Sequence, residues 1–328
     1  MPRLKAYAET LPLREVFTIS RGSRTETPVV VCEIEEDGVR GWGEGQPNPR
    51  YDETQESALA EIEAVRAGLE SGALDRIGLQ SAMKAGSARN AVDCAFWDFE
   101  AKKAGKRVWE LAGLPQPQPV TTAYTLSVAS PAEMAATAAR NAHRPLIKMK
   151  LTGEGDLDRV RAVREVLPKT PIIVDANEGW EIPMLERFAT ELKKLQVQLV
   201  EQPLPQADDA ALAAVTHPVP FCADESCHTS GDITQLTGRY DVINIKLDKT
   251  GGLTEALKLR QAVIDAGMDV MVGCMVATSL SMAPSVLVAQ GAVFVDLDGP
   301  LLLAKDRDMG LTYDESGQVH PPEAALWG

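Results

Sequence analysis

With 328 residues, 45% hydrophobic and 24% charged, the chain is long enough for one large barrel and a smaller second domain. A formal net charge of -14, from 47 acidic against 33 basic residues, argues against nucleic acid or an anionic membrane as partner, since both select clustered Lys and Arg. Five scattered cysteines (Cys32, Cys94, Cys222, Cys227, Cys274) form no CxxC pair, and the opening residues lack the apolar core of a secretory signal; a reducing cytoplasm is the expected location.

Taken in chain order, Val29–Glu35 is β-branched and runs into the turn Asp37-Gly38; with Val39–Gly45 it predicts a hairpin. Helical spacing follows from about Asp52 to Leu69 and from Ala88 to Ala104, where Ala91, Val92, Ala95, Phe96 and Phe99 share a face. The stretch Leu114–Pro119 is a linker by composition, so an α+β capping domain is expected over residues 1–117. A rhythm then occupies residues 118–309. Apolar strands are predicted at Thr121–Leu126, Leu146–Leu151, Ile172–Ala176, Gln198–Glu201, Phe221–Ala223, Val242–Leu247, Asp269–Gly273 and Ala292–Leu297, with helices between, as at Asp156–Leu167, Pro183–Leu195 and Thr254–Ala266. Marker residues near the last seven strand ends, at 150, 175, 201, 224, 246, 274 and 296, recur every 22 to 28 residues, the length of a βα unit. The expected fold class is α/β, a (β/α)7β TIM-like barrel with an α+β N-terminal cap. Val270–Val295 is uncharged for 26 residues, long enough to cross a bilayer, but Gly273, Pro284 and Gly291 punctuate it and a buried strand–helix–strand is the better reading. The segment 310–328 is expected to form a small hairpin around Glu315-Ser-Gly317 and return to the cap.

In a parallel barrel, reactive groups gather at the C-terminal strand ends. Lys148 and Lys150, Asp175 and Asn177, Glu201, Asp224 and Glu225, Lys246, and Asp296 and Asp298 all stand there. A single Asp in such a place is more often a helix N-cap; several in succession converge on one mouth. Asp175, Glu201 and Asp224, from adjacent strands, offer three hard oxygen donors suited to one Mg²⁺, and no His at a strand end competes for zinc or iron. The alternative is that these acids merely pair with Lys150 and Lys246. Those two lysines flank the trio and would face one another across it, which suits removal of a proton from one face of a carbon and its return to the other. A cation and Lys148 nearby would lower a lysine toward the pKa of about 7–8 that a base needs.

At these residues the chain resembles the enolase superfamily, muconate-lactonizing-enzyme subgroup, in Lys148-Met-Lys150, Asp175-Ala-Asn177, Glu201-Gln-Pro203, Ala223-Asp-Glu-Ser226 and Asn244-Ile-Lys246. The likeness covers nearly the whole chain. Lysine bases with a divalent cation stabilising an enediolate are the known chemistry of that superfamily. Within it the chain looks most like the dipeptide epimerases, especially those acting on L-Ala-D/L-Glu in murein peptide recycling. The resemblance implies Lys150 and Lys246 as catalytic bases, Lys148 as their neighbour or a carboxylate ligand, Asp175, Glu201 and Asp224 as ligands of one Mg²⁺, and Asn177 as their support. It further implies Asp296-Leu-Asp298 as the acids that bind the substrate ammonium, Arg24 as reader of a glutamate side chain, and Thr125, Cys274 and Val276 as substrate contacts. Arg21 is expected to pack within the cap instead. The run Lys246–Gly252 is also similar to that of these enzymes. The implied partner is a small dipeptide, and barrels of this kind often assemble into homo-oligomers. Rival readings are a cycloisomerase or o-succinylbenzoate synthase, or an N-acylamino-acid racemase, whose substrates have no ammonium for the paired acids. A silent barrel acting as a binding protein is disfavoured, because unused buried charge is costly.

Overall fold

The computed structural model describes residues 1–328. Strands β1 (Arg3–Ile19), β2 (Gly22–Glu36) and β3 (Val39–Gly45) form an antiparallel sheet in that order. The hairpin predicted at Asp37-Gly38 joins β2 to β3, with both turn residues at positive φ, 52° and 79°. β1 and the first half of β2 escape the sequence reading. Their alternation is poor, and a register shift between Pro12 and Phe17 breaks it further. The turn joining them, at Ser20-Arg21, projects over the barrel mouth.

Three helices cover the sheet: α1 (Gln55–Glu70), α2 (Arg76–Ala82) and α3 (Ser87–Ala104). α1 begins three residues later than its apolar spacing predicts, because Thr54 caps it by accepting from Ser57 N. The short α2 offers too few turns for periodicity to reveal it. Gly41, Gly43 and Gly45 point toward α3; a Cβ on each would lie 2.3, 2.4 and 2.1 Å from its backbone. Only glycine at those alternate positions lets helix and sheet approach so closely.

The chain then passes β4 (Val120–Thr121) and enters eight parallel strands. These are β5 (Tyr124–Leu126), β6 (Ile147–Lys150), β7 (Ile172–Asp175), β8 (Val197–Glu201), β9 (Phe221–Ala223), β10 (Val242–Ile245), β11 (Asp269–Gly273) and β12 (Phe294–Asp296), hydrogen-bonded in sequence order. Ala123 N donates to Val295 O at 2.8 Å across the remaining seam, closing the barrel. The predicted strands match these to within a few residues. The uncharged run resolves into β11, the helix Ser279–Val288, every residue of it buried, and β12. No helix is long and apolar enough to cross a membrane. In the tail, β13 (Gln318–Val319) pairs antiparallel with β4, and the last residues reach α3: Trp327 Nε1 donates to Cys94 O at 3.0 Å and Gly328 N to Asp98 Oδ1 at 2.7 Å.

The run Lys246–Gly252 docks the barrel on the cap. Arg89 of α3 donates to Thr250 O (2.6 Å) and Gly251 O (3.1 Å), and Asp93 accepts from Thr254 N and Oγ1 (3.0 and 2.7 Å). Asp248 Oδ1 accepts from Gln46 N at 2.9 Å and Asn90 Nδ2 at 2.8 Å. Gly252, at φ 114°, leaves no room for a side chain against Asp93, where a Cβ would sit 2.5 Å away. These buried bonds fix the cap relative to the strand end that carries Lys246.

Candidate active site

Asp175 and Glu201 are the last residues of β7 and β8, and Asp224 directly follows β9. All three are buried, and their nearest carboxylate oxygens lie within 4.8 Å of one another. Four lysines surround them where the sequence reading counted two as partners. Lys150 Nζ sits 2.6 Å from Asp175 Oδ2 and Lys246 Nζ 2.5 Å from Asp224 Oδ2. Lys148 Nζ lies 2.6 Å from Glu201 Oε2 and 2.6 Å from Asp296 Oδ2, and Lys249 Nζ 2.8 Å from Asp224 Oδ1. Lys249 was missed as a site residue. It stands three positions after Lys246 in the short helix Leu247–Thr250, a spacing that keeps both on one side. Its ammonium also donates to Asn244 O at 3.0 Å.

The electrostatics follow from these contacts. Burial opposes the charge on Lys148 and Lys246, but the carboxylates of Asp296 and Glu201, and of Asp224, outweigh it and hold both above the ordinary lysine range. Lys246 stands high because its nearest neighbour is the Asp224 anion; the depression expected from the sequence depends on a cation held by that carboxylate. Burial and the nearby Asp175 push Glu201 up to about 7. Burial also opposes ionisation of Asp224, yet Lys246 and Lys249 hold it well below the usual carboxylate range.

The residues fit a hard cation. Glu201 Oε2 and Asp224 Oδ1 are buried and accept no well-formed hydrogen bond, despite their close ammonium neighbours. Lone pairs of all-oxygen donors from three adjacent strands are what Mg²⁺ takes. Asn177 braces one of these donors, its N donating to Asp175 Oδ1 at 2.9 Å and its Nδ2 to Asp175 Oδ2 at 3.1 Å.

Above the carboxylates lies a cavity of about 480 Å³, lined by residues that include Arg24, Tyr51, Lys150, Lys246, Cys274 and Val276. In the eight-strand order β6 and β10 are four strands apart, so Lys150 and Lys246 come from opposite walls. Arg24 makes no ion pair; its guanidinium stacks 5.5 Å from the Phe17 ring, and burial lowers its pKa. Val276 O accepts from Thr27 Oγ1 at 2.7 Å, tying this wall to the cap. Asp296 and Asp298 are buried, outside the cavity's lining, as are Lys148 and Thr125. Thr125 holds the pair, N donating to Asp298 Oδ2 at 2.7 Å and Oγ1 to Asp296 Oδ1 at 3.4 Å. Burial and the adjacent Asp296 push Asp298 up to about 7.

Arg21 departs from its expected place within the cap. It reaches the barrel and donates to Asn177 O at 3.0 Å, Glu178 Oε2 at 3.2 Å and Glu225 Oε1 at 2.8 Å. Contacts 156 to 204 residues apart in the chain leave no local signal that could have revealed it.

Comparison with known proteins follows this architecture. Residues 3–113 match the N-terminal domain model of mandelate racemase / muconate lactonizing enzyme, and residues 131–325 the enolase C-terminal domain-like model. The L-Ala-D/L-Glu epimerase of Escherichia coli (strain K12) is 44% identical over 98% of this chain and 100% of its own. An N-acetyl-D-glutamate racemase of Pseudoalteromonas sp is 42% identical over 92% of this chain and 95% of its own. An Agrobacterium tumefaciens enolase family member with homology to dipeptide epimerases, solved with sodium and L-Ala-L-Glu, superposes with a TM-score of 0.97 at 52% identity over the whole of both chains. Domain models, relatives and geometry agree: the chain belongs to the enolase superfamily.

Proposed function

We propose that the protein is an isomerase that epimerises a dipeptide at the α-carbon of its C-terminal residue, interconverting L-Ala-L-Glu and L-Ala-D-Glu. The observation that carries this reading is the pair Lys150 and Lys246, set on opposite barrel walls and lining one cavity beside three buried carboxylates. Relatives with that activity, and solved family members holding dipeptides with magnesium or sodium, support it. Residues 1–117 would set specificity, 118–309 carry the chemistry, and 310–328 tie the two together.

A Mg²⁺ ion held by Asp175, Glu201 and Asp224 would stabilise negative charge growing on the substrate carboxylate and offset the negative charge of Asp224 beside Lys246. One lysine Nζ takes the α-proton, and the C–H electron pair moves into the carboxylate as an enediolate. The opposite lysine, as ammonium, donates a proton to the other face, so the α-carbon re-forms inverted and the two lysines exchange protonation states. Asp296 and Asp298, with Lys148 between them and the metal ligands, would receive the substrate's ammonium.

Arg24, unpaired above the cavity, would grip the glutamate side chain with its planar fork. Arg24→Ala should lower kcat/KM on L-Ala-L-Glu by about 100-fold, the worth of charge-assisted bonds, and on L-Ala-L-Gln or L-Ala-L-Met by less than about fivefold. A parallel loss on all three would show that Arg24 reads no side chain.

The racemase relative supports a second reading, in which the amine is acylated. Steady-state assays separate the two. N-acetyl-L-Ala-L-Glu should react at least about 100-fold more slowly than the free dipeptide, because acetylation removes the charge that Asp296 and Asp298 would bind. N-acetyl-L-glutamate turning over as well as L-Ala-L-Glu would move the assignment to an acylamino-acid racemase.

A further inference from the structure

We propose that Arg21 is a positioning residue that couples closure of the capping hairpin to the geometry of the metal ligands. The proposal rests on the cation site described above, and it does not depend on which dipeptide the cavity takes.

Arg21 lies at the β1–β2 turn, three residues before Arg24. Its guanidinium spans the ends of two barrel strands. One Nη donates to Asn177 O, two residues beyond Asp175; the other donates to Glu225, the residue after Asp224. Ser20 Oγ adds a second bond to Asn177 O at 2.8 Å. Arg50 grips Glu178 with two bonds of 2.8 Å, so the cap holds this dipeptide from both sides.

What it holds is unusual backbone. Asn177 and Glu178 are consecutive non-glycine residues at positive φ, 44° and 65°. Such conformations cost free energy and persist where surrounding contacts enforce them. The strained residue is the one whose N and Nδ2 orient both oxygens of Asp175. Displacing the hairpin removes the bonds to Asn177 O and lets this backbone relax, and the brace on Asp175 relaxes with it. Coupling of this kind is reciprocal, so a cation that orders Asp175 and Asp224 also favours the closed hairpin, and with it the seating of Arg24.

In a neutral variant charge and geometry would act in opposite directions on cation binding, so the informative variant is one that keeps the charge. Removing a cationic side chain near a metal site tightens cation binding by simple Coulomb attraction. Arg21→Lys keeps the charge and loses the fork. With full-length protein and no substrate, titration calorimetry with Mg²⁺ alone should show Arg21→Lys binding about fivefold or more weakly than wild type. Arg24→Ala, in the same hairpin without those bonds, should stay within about twofold. Arg21 is one-third exposed, so the variant's melting temperature should barely move. On dipeptides, Arg21→Lys should lower kcat/KM for L-Ala-L-Glu and L-Ala-L-Gln by a similar factor, unlike Arg24→Ala. Wild-type or tighter Mg²⁺ affinity in Arg21→Lys overturns the coupling, and it does so even if the protein proves to act on a different substrate.

Discussion

Lys150→Ala and Lys246→Ala should each reduce epimerisation of L-Ala-L-Glu by about 10³-fold or more, the upper range for a positioned general acid–base. Loss of rate alone would not establish the scheme, because either change also removes the nearest ammonium partner of a buried carboxylate, Asp175 or Asp224. The informative readout is exchange without inversion. If the lysines serve opposite faces, a variant lacking one can still take the α-proton of the epimer facing the other, and return a solvent proton to that same face. In D₂O each variant should therefore label one epimer and leave the other untouched, with the preference reversed between the two variants. A variant that still epimerises near the wild-type rate would show that a single base suffices, and the assignment of opposed roles to β6 and β10 would fail.

Removal of divalent cations is the second large effect. Chelator treatment should abolish turnover, and added Mg²⁺ should restore it. The fold should survive, since Lys148, Lys150, Lys246 and Lys249 already place an ammonium within 2.8 Å of each of the three carboxylates. Loss of ligand stabilisation predicts a fall in melting temperature of only about 2–6 °C. Full activity after exhaustive chelation would remove the cation from the account; unfolding on chelation would show that the lysine pairs do not sustain the site.

The barrel was legible because its signal repeats: each strand is a short apolar run, and most of them end in or run into a charged residue. Asp175, Glu201 and Asp224 announced themselves by falling one βα unit apart, and the structure brings their oxygens together. The cap was less legible. β1 has weak alternation and a register break, and α2 is too short to show a period. Within the site, Lys249 could be found from its spacing to Lys246, whereas Arg21, Arg50 and the Asn177–Glu178 backbone depend on contacts between distant segments. The anion on which each lysine rests was illegible for a related reason. Charge counting along the sequence identified the groups, but only the folded arrangement shows that Lys246 rests on Asp224.

The most direct test of the central claim is incubation of the Mg²⁺-loaded wild-type protein with L-Ala-L-Glu in D₂O, followed by mass spectrometry and chiral separation. The account predicts one deuterium at the glutamate α-carbon, none on alanine, and build-up of L-Ala-D-Glu toward equilibrium with its epimer. No deuterium at that carbon in a protein shown by calorimetry to hold its cation would contradict it.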